Sequence, residues 1–248
     1  MFVRGIIMAR GEQEKYCIDQ VNKLFLQRKV TCLDKYGNFG FVKRAFSKAK
    51  PNSSSSEFPD FLFDDGFIEH FQVTSTRENR KGSEFRKEQN IFHKKCEENI
   101  EAKTATSHPP IGTFALESCP MTMESPESSY DNYKKSFERN WSHHIESRKA
   151  YALSGKCIFL IEMVGKPITV EEDGVFKFFY ELAYDKNILE YIYEFREEVD
   201  YVVFTHSDQC EIVTVAEIPD NKKTLPSNMK FGVGNHTEVN LQVFFDIN

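Results

Sequence analysis

Apolar residues in 11–28 recur at three- and four-residue spacing, with Cys17, Ile18, Val21, Leu24 and Phe25 on one stripe. That period predicts an amphipathic helix with one buried face. Residues 38–46 (NFGFVKRAF) alternate apolar and polar side chains, which predicts a strand. The serine-rich 51–56 reads as a loop. In 58–75, Asp64-Asp65-Gly66 separates two aromatic-rich runs, and Asp-Gly between β-formers predicts a hairpin. Ser83 then caps a helix expected to run to about residue 100. Residues 104–128 carry Pro, Ser and Thr with little period and read as a long surface loop or insertion.

The longest helical pattern covers 129–153, with Tyr133, Phe137, Trp141, His144 or Ile145, and Arg148 on one side. The near-continuous apolar run 156–163 (KCIFLIEM) predicts a strand covered on both faces. A connection at 165–174 and an aromatic segment at 175–182 lead to a helix over 185–198, striped by Ile188, Leu189, Ile192 and Phe195. Strands are expected at 201–205 and 211–217, and a last apolar run covers 239–245. A buried strand following a long helix implies an α/β fold with a mixed central β-sheet flanked by helices. The whole of 1–248 is read as a single domain with a loop insertion near 104–128.

Composition changes this picture little. The 23 Phe predict a core built largely from rings. No apolar run approaches the roughly 20 residues that span a bilayer, and MFVRGIIM at the start is too short for a secretory core. A cytoplasmic protein without membrane contact is therefore expected. Six cysteines stand singly with no CxxC pair, so they read as core or surface thiols rather than a zinc ribbon.

Charge matters more locally than globally. The net charge of −6 argues against a general nucleic-acid coat. Between Arg77 and Lys95, however, seven Lys or Arg face only three Glu. Arg77, Arg80, Lys81, Arg86 and Lys87 are the candidates to follow a phosphate backbone, set against the simpler reading of a solvated helix face.

The candidate chemistry lies in the hairpin. Pro59-Asp60 opens one strand, and Glu69-His70-Phe71-Gln72-Val73-Thr74 forms its partner. This pattern, within the order helix, three strands, helix, strand over residues 11 to about 163, resembles the PD-(D/E)XK (restriction-endonuclease-like) nuclease superfamily. The resemblance implies metal-dependent phosphodiester hydrolysis of nucleic acid by a magnesium endonuclease, with manganese as a substitute ion. It implies DNA as the first partner to consider, in restriction or defence, and leaves a homodimer open. A phosphodiester repels hydroxide, so such an enzyme must neutralise the phosphate and supply a deprotonated water.

Laid on this chain, the family pattern makes Asp60 and Glu69 the metal ligands. A second register places His70 in the acid's position and Gln72 where the family carries lysine, since residues i and i+2 of a strand share a face. The second register buries Phe71 and Val73 but leaves Glu69 on the apolar side. Glu84 is a candidate for a migrated acid, and Lys81 or Lys87 for the missing cation. Glu14, with Glu12 as its alternative, would be the first-helix glutamate supporting the metal's waters. Each of these residues can equally be a solvent-facing polar side chain or an acid at the edge of a strand. The missing lysine keeps open a catalytically degenerate member of the fold that acts as a nucleic-acid or protein-binding module.

Other chemistries find no footing. His143-His144 with Glu146 lacks the HExxH spacing, and GxxxxGK[ST], GxGxxG and GxSxG are absent from the sequence. The aromatic residues between 176 and 204 read as core rather than as a base-stacking surface.

Overall fold

The structure is a computed structural model, and it describes residues 12–33, 37–52, 58–76, 117–124, 128–151, 154–206, 208–233 and 236–243. The first helix, α1 (Glu12–Gln27), buries the expected stripe of Cys17, Ile18, Val21, Leu24 and Phe25. A short strand, β1 (Val30–Leu33), follows. Residues 38–46 are not the strand that their alternation predicts. They form α2 (Phe39–Lys48), which buries Val42, Ala45 and Phe46 at three- and one-residue steps. The Phe46 ring meets Phe25 of α1 edge-to-face at 5.4 Å. Helix-on-helix packing therefore overrides a local alternation in which Phe39 and Phe41 stay only half-buried.

Two short strands, β2 (Lys50–Pro51) and β3 (Phe61–Phe63), lead through the Asp64-Asp65 turn into β4 (Gly66–Thr74), so the predicted hairpin is present. The loop expected over 104–128 contains a strand, β5 (Glu117–Glu124). Its partner lies more than a hundred residues away, so no local pattern announces it. The long helix α3 (Tyr130–Ala150) is capped by the Ser129 side chain, which accepts from the Asn132 N–H.

Then come β6 (Lys156–Val164), β7 (Ile168–Glu172) and β8 (Val175–Phe179). They are followed by α4 (Lys186–Tyr193), β9 (Tyr201–His206), β10 (Gln209–Thr214) and the short α5 (Ile218–Asn221). The described chain ends in β11 (Met229–Val233) and β12 (His236–Val243). The connection read at 165–174 thus holds a strand, β7, which pairs with both β8 and β11.

The main sheet has seven strands in the order β1-β10-β9-β6-β4-β3-β2. The β4–β6 and β6–β9 pairs are parallel, whereas β3–β4 and β9–β10 are antiparallel. The fold is α/β, with a mixed central sheet flanked by helices. Smaller sheets join β11-β7-β8 and β12-β5.

Period-two geometry divides the core between the two faces. Phe67, Phe71 and Val73 of β4 pack with Phe159 of β6 and with Phe137 and Trp141 of α3. Ile68 of β4 and Ile158 and Leu160 of β6 pack on the other face with α1 and α2. The aromatic segment between 176 and 204 divides likewise. Tyr180 and Tyr201 are buried, whereas Phe176 and Phe179 are exposed. Among the described residues no helix is long and apolar enough to cross a membrane.

Candidate functional site

Asp60 immediately precedes β3, whose register pairs Phe61 with Ile68 of β4. Continuing that pairing by one residue sets Asp60 opposite Glu69. The Asp60 N–H donates to Glu69 Oε2 at 3.1 Å, and the His70 N–H donates to Asp60 Oδ2 at 2.8 Å. Asn52 secures the approach, donating its backbone N–H to the Asp60 carbonyl at 2.8 Å and its side-chain amide to the Pro59 carbonyl at 2.9 Å. Asp60 is thus fixed by both its backbone and its carboxylate.

Glu69 and His70 are neighbours in sequence and point to opposite faces. Glu69 faces α3, where its Oε1 lies 2.6 Å from His144 Nδ1. The His144 ring stacks on Phe71 at 4.6 Å between centroids. Burial pushes the imidazole down to about 4. At neutral pH His144 is therefore uncharged, and the hydrogen bond assigns its Nδ1–H as donor to the Glu69 carboxylate.

His70 and Gln72 face α1. His70 Nε2 lies 3.2 Å from Glu162 Oε2 on β6, and the Gln72 amide donates to the same oxygen at 2.7 Å. Burial favours the protonated form of Glu162, but the hydrogen bonds from His70 and Gln72 outweigh it and hold the carboxyl below its usual value. Across from them, Cys17 of α1 places its thiol in the same cluster. The potential ligand atoms of Cys17, His70 and Glu162 all lie within 4.8 Å of one another. Burial, followed by the Glu162 carboxylate, pushes the Cys17 thiol well above its ordinary range.

Glu14 stands one helical turn before Cys17, and its charge reaches both Cys17 and Asp60. Asp60 itself is raised to about 6, first by burial and then by the Glu69 carboxylate, with Glu14 adding to the effect. Negative charge is therefore crowded at the point where the hairpin opens.

Of the candidate residues, Asp60, His70, Gln72 and Glu14 are tied into one neighbourhood by hydrogen bonds and charge. Glu69 touches it through the Asp60 backbone, with its carboxylate turned toward α3. The candidates Arg77, Arg80, Lys81, Arg86, Lys87 and Glu84 lie outside the described residues, as does the helix expected after Ser83. Sequence reasoning passed over three contributors. Glu162 has a visible signal, being the one acid inside an otherwise apolar strand once the leading Lys156 is set aside. Cys17 reads as a member of an apolar stripe, and nothing local marks it as polar chemistry. His144 belongs to a helical stripe whose partner comes from a strand 75 residues earlier.

Comparison with family models, with curated proteins and with solved structures finds no match to this chain.

Proposed function

We propose that this protein hydrolyses phosphodiester bonds of nucleic acid with a divalent metal ion, as a restriction-endonuclease-like endonuclease whose first substrate to test is DNA. The observation that carries the reading is Asp60. It is a half-buried carboxylate raised to about 6 at the mouth of the hairpin, within electrostatic reach of Glu14 and hydrogen-bonded to the His70 backbone. The order expected from residue 11 is not met as read, since 38–46 is the helix α2 and β5 falls between β4 and α3; what supports the reading is the β3–β4 hairpin followed by α3 and by β6 parallel to β4.

The donor chemistry of Asp60 and Glu14 suits magnesium or manganese, since magnesium is held by one or two carboxylates while keeping several waters. Such an ion, when bound, neutralises the phosphate and lowers the pKa of its water. The chain's own residues have distinct roles. Asp60 Oδ2 is oriented by the His70 N–H, which fixes the direction of the carboxylate. Gln72 stands where the family resemblance sets a water-orienting side chain. Basic residues following β4 would carry the phosphate contacts.

A second reading has one specific observation in its favour. The residue two positions after His70 is Gln72 rather than lysine, and its amide is already donated to Glu162. A binding module that has lost hydrolysis would have this arrangement.

Incubating the protein with plasmid DNA and with single-stranded DNA and RNA, in magnesium or manganese, separates the two. Nuclease action predicts metal-dependent cleavage that Asp60→Ala abolishes. Retention of nucleic acid on a gel without cleavage selects the binding module. Neither cleavage nor retention sinks both.

A further inference from the structure

We propose that Cys17, His70 and Glu162 form a binding site for a borderline divalent ion of the zinc class, distinct in its donors from the carboxylates around Asp60. Three elements bring these groups together: α1 supplies a thiol, β4 an imidazole and β6 a carboxylate. Their ligand atoms lie within 4.8 Å of one another. His70 Nε2 and Glu162 Oε2 are 3.2 Å apart. That matches the edge of roughly 3.3 Å expected between nitrogen and oxygen ligands on a tetrahedral zinc. The sulfur lies within 4.8 Å of both atoms, against an edge of roughly 3.6 Å on a tetrahedral zinc, so a modest inward movement closes the site.

The donor set selects the ion. A thiolate and an imidazole are poor ligands for magnesium, which prefers oxygen, and good ones for zinc and its neighbours. The charges also close. Binding releases the Cys17 proton to solvent, so one thiolate and one carboxylate neutralise a dication, with His70 neutral. A desolvated site tolerates that neutral sum far better than an isolated charge.

Two features complete the site. Gln72 donates to Glu162 Oε2 at 2.7 Å, the kind of supporting contact that orients a ligating carboxylate. Glu162 keeps 23% of its side chain exposed while His70 keeps 4%, so the site opens to solvent on one side. A fourth position can therefore take water or a substrate oxygen, as in catalytic rather than purely structural zinc sites. Zinc binding here stands whether or not the chain cleaves nucleic acid. If it does cleave, His70 joins this site to Asp60 through its own backbone N–H.

The test uses the full chain, stripped of metal by a chelator under a phosphine reductant. It is titrated with zinc against a chromogenic competitor and, separately, with cobalt(II). The expected result is one ion per chain, retained in a large excess of magnesium, with a tetrahedral cobalt spectrum that includes a sulfur-to-metal charge-transfer band. Cys17→Ser should lose that band and bind zinc about a hundredfold more weakly. Cys32→Ser, an exposed cysteine on β1, should match the wild type. Glu162→Gln, which preserves shape, should keep the sulfur band and weaken zinc at least about tenfold. It carries the test alone if circular dichroism shows Cys17→Ser unfolded. Wild-type affinity in both Cys17→Ser and Glu162→Gln, or an octahedral cobalt spectrum without sulfur, overturns the proposal. Magnesium-dependent cleavage without zinc binding would remove this site and leave the nuclease reading intact, and stoichiometric zinc without cleavage would do the reverse.

Discussion

Replacing Asp60 by Asn should make the protein more stable while removing its capacity to hold magnesium or manganese. The carboxyl is raised from an ordinary 3.8 to about 6, chiefly by burial and then by the adjacent Glu69. The folded chain thus retains a proton that the unfolded chain releases between those two values, and stability falls as pH rises through that window. At about 1.4 kcal/mol per tenfold change in proton affinity, the loss above pH 6 approaches 3 kcal/mol. Asparagine has no proton to lose, and its carbonyl can still accept the His70 N–H. Asp60→Asn should therefore match the wild type near pH 4 and exceed it by about 2–3 kcal/mol at pH 8. Urea unfolding of both proteins at pH 4, 6 and 8 measures this. Magnesium or manganese should stabilise the wild type at pH 8, by about 2.7 kcal/mol at a concentration one hundred times the dissociation constant, and leave Asp60→Asn unmoved. Equal stability differences at all three pH values would refute the reasoning about buried charge. An ion that stabilises both proteins alike would refute the role of Asp60.

His144 works in the opposite sense. Its imidazole is pushed down from 6.5 to about 4, so the unfolded chain binds a proton the folded one refuses, and stability is lost as pH falls through that range. Between about pH 4 and 6 this opposes the Asp60 effect, so wild-type stability should vary less there than in His144→Phe, compared by urea unfolding. That variant also removes the His144 donor from the buried Glu69 carboxylate, and at pH 8 it should lose about 2 kcal/mol. Asp185 accepts from the Tyr130 and Tyr180 hydroxyls and from the Ile188 N–H, so Asp185→Ala should lose about 3 kcal/mol in chemical denaturation. A methyl group on Gly66 would run into the Lys156 carbonyl where β4 meets β6. Gly66→Ala should lower stability by about 2 kcal/mol or more and show a depressed Tm.

What the sequence makes legible is what is local. The stripe on α1 and the turn at Asp64-Asp65 carry their periods and turn chemistry on their face. Residues 38–46 mislead because Phe39 and Phe41 mimic a strand, while the buried set Val42, Ala45 and Phe46 is decided by contact with α1 and β3. The pairing of β5 with β12 joins segments more than a hundred residues apart and has no short-range signature. At the site, the conflict between the Glu69 and His70 registers is visible in sequence because both residues are polar on one strand. Each has a partner that only the fold supplies, His144 for Glu69 and Glu162 for His70. Cys17 joins them only because α1 crosses the same face of the sheet.

The placement of Asp60 has a mechanical consequence. Its N–H holds the acid that looks toward α3, and its carboxylate holds the backbone of the histidine that looks toward α1. One residue thus bridges two compartments that the sheet otherwise keeps apart. Protonating His144 on the far side would turn its hydrogen bond to Glu69 into a charge-assisted pair and draw that carboxylate toward α3. The pull would pass to the Asp60 main chain and to the aim of the His70 ring, so acid sensed on one surface would be felt by whatever ion is seated on the other.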